Sequence, residues 1–351
     1  MNFYKFLMLS SLTLLLNACG GGNVSTSELF DIQLEGNKKQ FSQNEIVGIS
    51  LKNKKGKTIN NVVYTIDGQE LTVKDNKIQL NVAKLGNKTI KASIDYEDRT
   101  GEVLKEIKIL SASSPEIYTY EIINTYPHDN EAFTQGLEFY ADTLYESTGK
   151  RGSSSLRKVN YKTGEVLNKI DLENAFFGEG ITILNDKIYQ LTWQSGTGFI
   201  YDLNEFKKVG SFKYGQSKEG WGFCNDGKQL YKSDGSEKIW LLDPNTLIEE
   251  DFIEIVTNKS IFNKANELEY VAGKIYANVY EKESMMIIDA KSGAIEGVIN
   301  FGGLKKLVTK GAKWDEVNSV LNGVAYNPKT ETFFVTGKYW DKLFEVKLMK
   351  K

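Results

Sequence analysis

The chain has little histidine, cysteine or proline. His128 is its single histidine, and Cys19 and Cys224 are its two cysteines. A zinc site built from His and Cys ligands needs more such residues, and a Ser-His-Asp triad would have to use His128. The composition therefore argues against the common zinc enzymes and leaves little room for a serine hydrolase. We predict no metal and no cofactor.

The charge of the chain is nearly balanced. Its 351 residues include 44 Lys or Arg and 46 Asp or Glu, a formal net charge of −2 at pH 7. Nothing in this balance indicates the basic surface that a nucleic-acid-binding protein needs. Glycine and aromatic residues are plentiful by contrast, with 31 Gly against 4 Pro and 12% Phe, Trp and Tyr. This composition is typical of many short strands joined by tight turns.

The first residues predict a targeting segment. Lys5 supplies a positive charge, residues 6–16 form an apolar run too short to span a bilayer, and Leu16-Asn17-Ala18 precedes Cys19 as a small-residue cleavage site that resembles a bacterial lipobox. We predict a lipoprotein signal peptide over residues 1–18, lipidation of Cys19 and a flexible tether over residues 19–27. The alternative is an ordinary secretory signal with an incidental cysteine.

Lipidation predicts a location. A lipid with several acyl chains would anchor the protein stably in the bacterial cell envelope, facing the periplasm or the outside. Gly20, and no acidic residue, follows the cysteine, which favours the outer membrane. The mature chain would keep one thiol, Cys224, which we expect to be buried by packing.

Residues 28–112 alternate between apolar and polar residues in short runs such as 46–51 and 62–66. Turn sequences such as Asp67-Gly68 separate these runs. About seven strands without a cysteine pair predict a small Ig-like β-sandwich. This part of the chain has no His, Cys or Trp, so we interpret it as a spacer or docking module, followed by a linker at residues 111–115.

A turn followed by a strand with an aromatic residue recurs five times in the rest of the chain. The aromatic residues are separated by steps of 44, 42, 45 and 58 residues, and they are Tyr145, Tyr189, Tyr231, Tyr276 and Phe334. A period in the mid-forties is typical of β-propeller blades. The longest step contains a Lys- and Gly-rich insertion at residues 302–318. We therefore predict an all-β chain with a five-bladed β-propeller over residues 116–351, in which a strand at residues 118–126 closes the ring against the last blade.

Polar and aromatic segments that do not repeat lie beside the predicted strand starts. They occupy residues 127–129, 132–137, 145–149, 177–182, 190–193, 219–222, 233–236, 266–269, 277–280, 321–325 and 334–338. In this order they closely resemble the plant and bacterial glutaminyl-peptide cyclotransferases, from about Tyr120 to the end of the chain. The resemblance does not extend to residues 28–112. It implies a five-bladed propeller that converts the N-terminal glutamine of peptides or proteins to pyroglutamate and releases ammonia.

That reaction defines what the site must contain. The substrate's α-amine attacks its own side-chain amide, so one carboxylate can take a proton from the amine and deliver it to the departing ammonia. The resemblance implies that Glu179, between two glycines, is this carboxylate. Lys338, which follows a glycine at a strand end, could bind the amide oxygen.

Six further residues are predicted to bind the substrate. Aromatic rings would line the pocket, and two amides would contact the substrate's amide and amine; the residues are Phe133, Gln135, Trp193, Trp221, Asn266 and Tyr280. Tyr280 stands where the family commonly has Trp, which affects the expected pocket shape more than the reaction. We expect His128 to hydrogen-bond locally rather than take part in catalysis.

Two other functions remain open at this point. A propeller can be a non-enzymatic binding platform in the cell envelope. A metal-dependent hydrolase would need ligands around the axis, for which Glu179, Asn266 and Asp234 are candidates, and we rank this hypothesis last. We expect a monomer.

Overall fold

The structure is a computed structural model that describes residues 24–351. The predicted signal peptide and Cys19 lie outside the described residues. Within residues 24–351, strands dominate, and helix is confined to the four-residue α1 (Thr26–Leu29) and the 3-10 turns Glu35–Asn37 and Leu304–Leu307. None of these helices is long and apolar enough to cross a bilayer. The prediction of an all-β chain is confirmed.

The N-terminal part forms two sheets around one hydrophobic core. Its strands are β1 (Phe30–Leu34), β2 (Gln40–Ser42), β3 (Ile46–Asn53), β4 (Ile59–Ile66), β5 (Gln69–Glu70), β6 (Lys77–Gln79), β7 (Gly86–Tyr96) and β8 (Arg99–Leu110). One sheet has the order β1-β3-β6 and the other β2-β8-β7-β4-β5. Alternate residues of both sheets, such as Ile32, Ile49 and Ile94, point into the shared core. The sequence predicted about seven strands, and the structure has eight. The shortest of them, β5, contains only two residues.

The middle of the chain forms three four-stranded antiparallel sheets in strict chain order. The first contains β10 (Thr134–Tyr140), β11 (Thr143–Thr148), β12 (Ser155–Asn160) and β13 (Glu165–Asp171). The second contains β14 (Gly178–Leu184), β15 (Lys187–Thr192), β16 (Thr197–Asp202) and β17 (Lys207–Lys213). The third contains β18 (Phe223–Asn225), β19 (Leu230–Ser233), β20 (Lys238–Leu242) and β21 (Glu249–Glu254).

The last seven strands of the chain and β9 (Glu116–Pro127), which precedes the three four-stranded sheets, form one eight-stranded sheet. The seven are β22 (Ala265–Val271), β23 (Lys274–Val279), β24 (Ser284–Asp289), β25 (Ile295–Asn300), β26 (Leu321–Asn327), β27 (Thr332–Gly337) and β28 (Lys342–Lys350). β9 pairs antiparallel with β28, which confirms the predicted closing strand. It also pairs in parallel with β25, a contact that the sequence did not predict.

The repeated turns connect β10 to β11, β14 to β15, β18 to β19, β22 to β23 and β26 to β27. These pairs are the first and second strands of five successive groups of strands, which are called units below. Asn185 and Asp186 both have positive φ (52° and 57°), the geometry of the type I′ turn that matches the twist of a hairpin. The five repeated aromatic residues consequently all lie on second strands, β11, β15, β19, β23 and β27. The first strands pack side by side in the order β10, β14, β18, β22, β26 and back to β10, so that they form a closed ring.

The N-terminal sheets pack directly on the segments next to β21 and β25. Val256, which follows β21, and Ala294, which precedes β25, belong to the same hydrophobic core as the N-terminal strands. Asn87 donates a hydrogen bond of 2.9 Å from Nδ2 to Glu254 Oε1, and the Leu85 amide donates one of 2.9 Å to the Ser292 carbonyl. The two parts therefore share buried apolar surface and are not joined by the linker alone.

Candidate active site

All eight residues predicted to catalyse or bind line a single cavity of about 300 Å³. They come from all five units of the ring, which explains why no local stretch of sequence contains the whole site. They are Phe133, Gln135, Glu179, Trp193, Trp221, Asn266, Tyr280 and Lys338.

Irregularities at the starts of the first strands place the polar side chains. The register shifts between Thr134 and Gly136 in β10, between Gly178 and Ile181 in β14, and between Ala265 and Leu268 in β22. Gln135, Glu179 and Asn266 lie within these shifts. A β-bulge breaks the alternation of side chains and re-aims one of them.

Gly180 permits the close packing around Glu179. A Cβ atom at this position would lie 2.6 Å from the Trp221 carbonyl oxygen and from the Phe223 amide nitrogen. The Gly180 amide donates a 2.7 Å hydrogen bond to that carbonyl. The backbone of β14 can therefore approach β18 closely only because residue 180 has no side chain.

Glu179 is a buried carboxylate that is only 3% exposed. Burial raises its pKa well above the ordinary value for Glu, and the charge of Glu219 raises that pKa further. The positive charge of Lys338 and a hydrogen bond from Gln135 lower the pKa of Glu179 without cancelling the effect of burial. A carboxyl group with a raised pKa can exchange a proton near neutral pH.

Gln135 is held by Asn322 on one side and holds Glu179 on the other. Asn322 Nδ2 donates to Gln135 Oε1 at 2.9 Å, so Gln135 turns its Nε2 toward Glu179 Oε1, also at 2.9 Å. Asn322 lies in the bulge of β26, between Leu321 and Val324. The Gln135 amide thus donates to the carboxylate and also lines the cavity, and its predicted contact with the substrate stays a prediction.

Lys338 is the second buried ionisable group of the cavity, and it is 4% exposed. Burial lowers the pKa of its ammonium group to about 8, the nearby Lys150 lowers it too, and Glu179 and Glu281 act in the opposite direction. Its Nζ lies 4.8 Å from the centre of the Phe133 ring and 5.5 Å from that of Tyr280. Such cation–π contacts hold the ammonium group between two aromatic faces.

Aromatic rings form the walls of the cavity through edge-to-face contacts. The ring centres of Trp221 and Tyr280 are 5.3 Å apart, and those of Phe177 and Trp193 are 5.5 Å apart. Phe133 contacts Phe177 at 6.0 Å. Tyr280 therefore packs within the wall as an aromatic residue, and its predicted contact with the substrate stays a prediction.

Sequence reasoning missed six residues that line the cavity. Phe177 lies in a segment already singled out, two residues before Glu179, whereas Val317 and Asn318 belong to the predicted insertion and carried no signal. The six are Lys150, Phe177, Glu281, Val317, Asn318 and Val320. The insertion thus contributes to the cavity, although it contains no strand in residues 302–318.

The single histidine and the described cysteine are structural, as predicted. His128 is buried, with Nδ1 2.8 Å from the Trp340 carbonyl oxygen and Nε2 3.1 Å from Glu146 Oε1. Cys224 is buried among apolar side chains, and burial raises the pKa of its thiol well above the ordinary value. Across residues 24–351, no group of three or more His, Cys, Asp or Glu side chains is arranged to hold a metal ion.

Comparison with known proteins identifies the family. The sequence model of the glutamine cyclotransferase family matches residues 96–348. The chain is 41% identical over 237 residues to the glutaminyl-peptide cyclotransferase of Arabidopsis thaliana, covering 67% of this chain and 73% of that protein. It also superposes on the crystal structure of Myxococcus xanthus glutaminyl cyclase with a TM-score of 0.62 and 31% identity, covering 68% of this chain and 99% of that one. The chain belongs to the glutamine cyclotransferase family.

Proposed function

We propose that this protein is a glutaminyl-peptide cyclotransferase, which converts the N-terminal glutamine of peptides or proteins to pyroglutamate and releases ammonia. The observation that carries this proposal is the buried Glu179 carboxyl at an aromatic cavity that also holds the buried Lys338. Burying two ionisable groups costs free energy of desolvation, so their presence at one cavity calls for a functional explanation. A pure binding platform has no need of them, so catalysis is the better explanation.

Cyclisation requires no nucleophile from the protein. The substrate's α-amine nitrogen forms a bond to the δ-carbon of its own side chain, and the bond from that carbon to the amide nitrogen breaks. The protein must hold the side chain folded back onto the amine. The rings of Trp193, Trp221 and Phe133 give this folded chain close walls, because they enclose a cavity of only about 300 Å³.

Glu179 is proposed to carry the proton. A substrate α-amine has an ordinary pKa of about 7.7–8.0, so part of the substrate carries a neutral amine near neutral pH. Glu179 acts in its ionised form, and burial, which raises its pKa, makes this carboxylate a stronger base toward the amine. The amine reacts in its neutral form, and Glu179 then takes the proton that the new bond releases. The same carboxyl group delivers a proton to the departing nitrogen, which leaves as ammonia.

Lys338 is proposed to stabilise the amide oxygen. Negative charge develops on this oxygen when the amine attacks, and a preformed positive charge in a buried site stabilises it strongly. With a pKa of about 8, Lys338 is largely protonated at neutral pH. Asn266, which is buried and lines the same cavity, is proposed to contact the substrate's amide or amine.

A panel of peptides tests the reaction. We expect a Gln-initiated peptide to lose the mass of one ammonia, and the matching Asn-initiated peptide to remain intact because its cyclisation would require a four-membered ring. An N-acetylated Gln peptide should also remain intact, since its amine is blocked. Mass spectrometry of the products measures all three. Conversion of the acetylated Gln peptide to the Glu peptide, with release of ammonia, would show hydrolysis of the amide instead of cyclisation.

The same proposal includes the finer architecture. The closed ring of first strands supports a five-bladed β-propeller over residues 116–351, with the eight-stranded sheet serving as two blades joined by β9. The two packed N-terminal sheets support an Ig-like β-sandwich over residues 28–112. We propose that the enzyme acts as a monomer, since the cavity is complete within one chain.

We also propose that Cys19 is lipidated and anchors the protein to the outer membrane, after removal of residues 1–18. The support is the apolar run, the small-residue cleavage site and the glycines at 20–22. Changing Cys19→Ser should move the protein from the detergent phase to the aqueous phase on partitioning. If the wild-type protein already partitions into the aqueous phase, the lipid anchor is wrong.

A further inference from the structure

Two tryptophans of the cavity share one hydrogen-bond acceptor. Trp193 follows β15 in the second sheet, and Trp221 precedes β18 in the third. Both indole N–H groups donate to Glu219 Oε2, at 2.8 Å from Trp193 and 2.9 Å from Trp221. A single carboxylate oxygen therefore ties together walls that belong to different units of the ring.

The backbone around Glu219 is itself held in place. The Gly220 amide donates to the Trp193 carbonyl at 3.1 Å, and the Trp221 amide donates to the Ser233 carbonyl at 3.0 Å. Gln194 Nε2 donates to the other carboxylate oxygen, Glu219 Oε1, at 3.3 Å. The carboxylate thus reaches the two indoles from a fixed backbone position.

A buried ion pair anchors the loop that leads to Glu219. Glu249 Oε2 accepts hydrogen bonds from the Gln216 amide at 2.7 Å and the Ser217 amide at 2.9 Å. Glu249 is paired in turn with the fully buried Lys232 at 3.1 Å. A loop with such an anchor is expected to keep Glu219 in one orientation.

We propose that Glu219 is a positioning residue for cyclisation, which fixes the indoles of Trp193 and Trp221 as the two walls against which the substrate's glutamine side chain folds. This inference rests on the proposed function and assigns a role to a residue that would not touch the substrate. Each hydrogen bond to a charged acceptor is among the stronger kind. Without its hydrogen bond to Glu219, each indole would be free to turn about its side-chain torsions, and the cavity would lose its shape.

The charge of Glu219 has a second consequence. Three groups face Glu179: Lys338 and Gln135 lower its pKa, and Glu219 raises it. The charge of Glu179 in turn raises the pKa of two phenols, those of Tyr214 and Tyr280. Removing the negative charge at position 219 while keeping a hydrogen-bond acceptor should therefore lower the pKa of Glu179. The position of the acid limb of kcat/KM reports this change.

The test compares three variants of the full chain. Glu219→Ala removes the acceptor and the charge, and Glu219→Gln keeps an acceptor and removes the charge. Glu205→Gln is the matched control at an exposed glutamate in the turn between β16 and β17. KM and kcat are measured with a Gln-initiated dipeptide, together with the pH profile and the near-ultraviolet circular dichroism of the tryptophans without substrate.

We expect Glu219→Ala to raise KM about tenfold and to change the tryptophan spectrum, since two hydrogen bonds to a charged group are lost. Glu219→Gln should keep KM within about threefold and move the acid limb of kcat/KM to lower pH. The substrate's amine titrates identically in every variant, so this shift belongs to the enzyme. Glu205→Gln should match the wild type in all measurements.

Two results would overturn the inference. One is a Glu219→Ala protein with the wild-type KM and the wild-type tryptophan spectrum. The other is a Glu219→Gln protein whose KM rises about tenfold while its tryptophan spectrum keeps the wild-type form, because Glu219 would then act by its charge and not through the indoles; this variant decides the matter if Glu219→Ala does not fold. An acid limb that does not move in Glu219→Gln would contradict the effect of the Glu219 charge on Glu179. If the wild-type protein forms no pyroglutamate, the proposed function fails, whereas the spectrum still tests whether Glu219 positions the two indoles.

Discussion

Loss of the positive charge at Lys338 should limit the reaction at high pH. With a pKa of about 8, Lys338 is about 90% protonated at pH 7 and only about 10% protonated at pH 9. The substrate's amine cannot cause a loss on this side, because it becomes more reactive as it deprotonates. If the ammonium form binds the amide oxygen, kcat/KM should therefore fall about tenfold per pH unit above the pKa.

Three variants separate this charge from its surroundings. Lys338→Met should reduce kcat by about 100-fold or more, the typical loss when one donor to a developing oxyanion is removed. Lys338→Arg keeps a charge that does not titrate, so its basic limb should disappear from the measured range, whatever its rate. Lys150→Met removes a cation that lowers the pKa of Lys338, so the basic limb should move to higher pH.

Initial rates of ammonia release from a Gln-initiated dipeptide, measured between about pH 6 and 10, provide the assay. A basic limb that persists unchanged in Lys338→Arg would refute the assignment of that limb to Lys338. A shift to lower pH in Lys150→Met would contradict the electrostatic argument, because the sign would be reversed. Melting temperatures of all three variants show whether the fold is retained.

Three further predictions concern the carboxylate, the domains and metals. Glu179→Gln should lower kcat by about 10²–10⁴-fold with little change in melting temperature. Glu281→Gln, the same change at an exposed glutamate of the same cavity, should keep most of the activity. Equal rates in the two variants would remove Glu179 from the mechanism. A fragment of residues 116–351 should keep the kcat/KM of the full chain but melt about 5 °C below it, because Val256 and Ala294 lose their apolar partners. An inactive but folded fragment would mean that the N-terminal sheets contribute to the site. Excess chelator should leave the rate unchanged, and a loss that an added metal restores would favour a metal-dependent enzyme.

The sequence predicted the strands well because their signal is local. A turn of the Asn185-Asp186 kind and the aromatic residue that follows it recur in each unit, and both depend on neighbours in the chain. The parallel pairing of β9 with β25 could not be predicted in this way, because its partners are about 180 residues apart and carry no pairing signal. The same holds for the packing of Val256 against the N-terminal core.

Eight of the residues that line the cavity were predictable from the sequence, whereas six others and the contacts within the site were not. The resemblance supplied Glu179 and Lys338, and both line the cavity. That Gln135 orients Glu179, and that Glu219 joins two indoles, depends on bulges and loop positions within which a shift of one residue redirects a side chain. Val317 was missed because an insertion has no repeat against which it can be compared.

The most direct test of the central claim is the stoichiometry of the products from a Gln-initiated dipeptide with purified protein. We predict one ammonia for each pyroglutamyl peptide formed, with both products lost together in Glu179→Gln. Ammonia accompanied by a Glu-initiated peptide would show hydrolysis of the amide instead of attack by the α-amine. That result, or the absence of both products with the wild-type protein, would contradict the account.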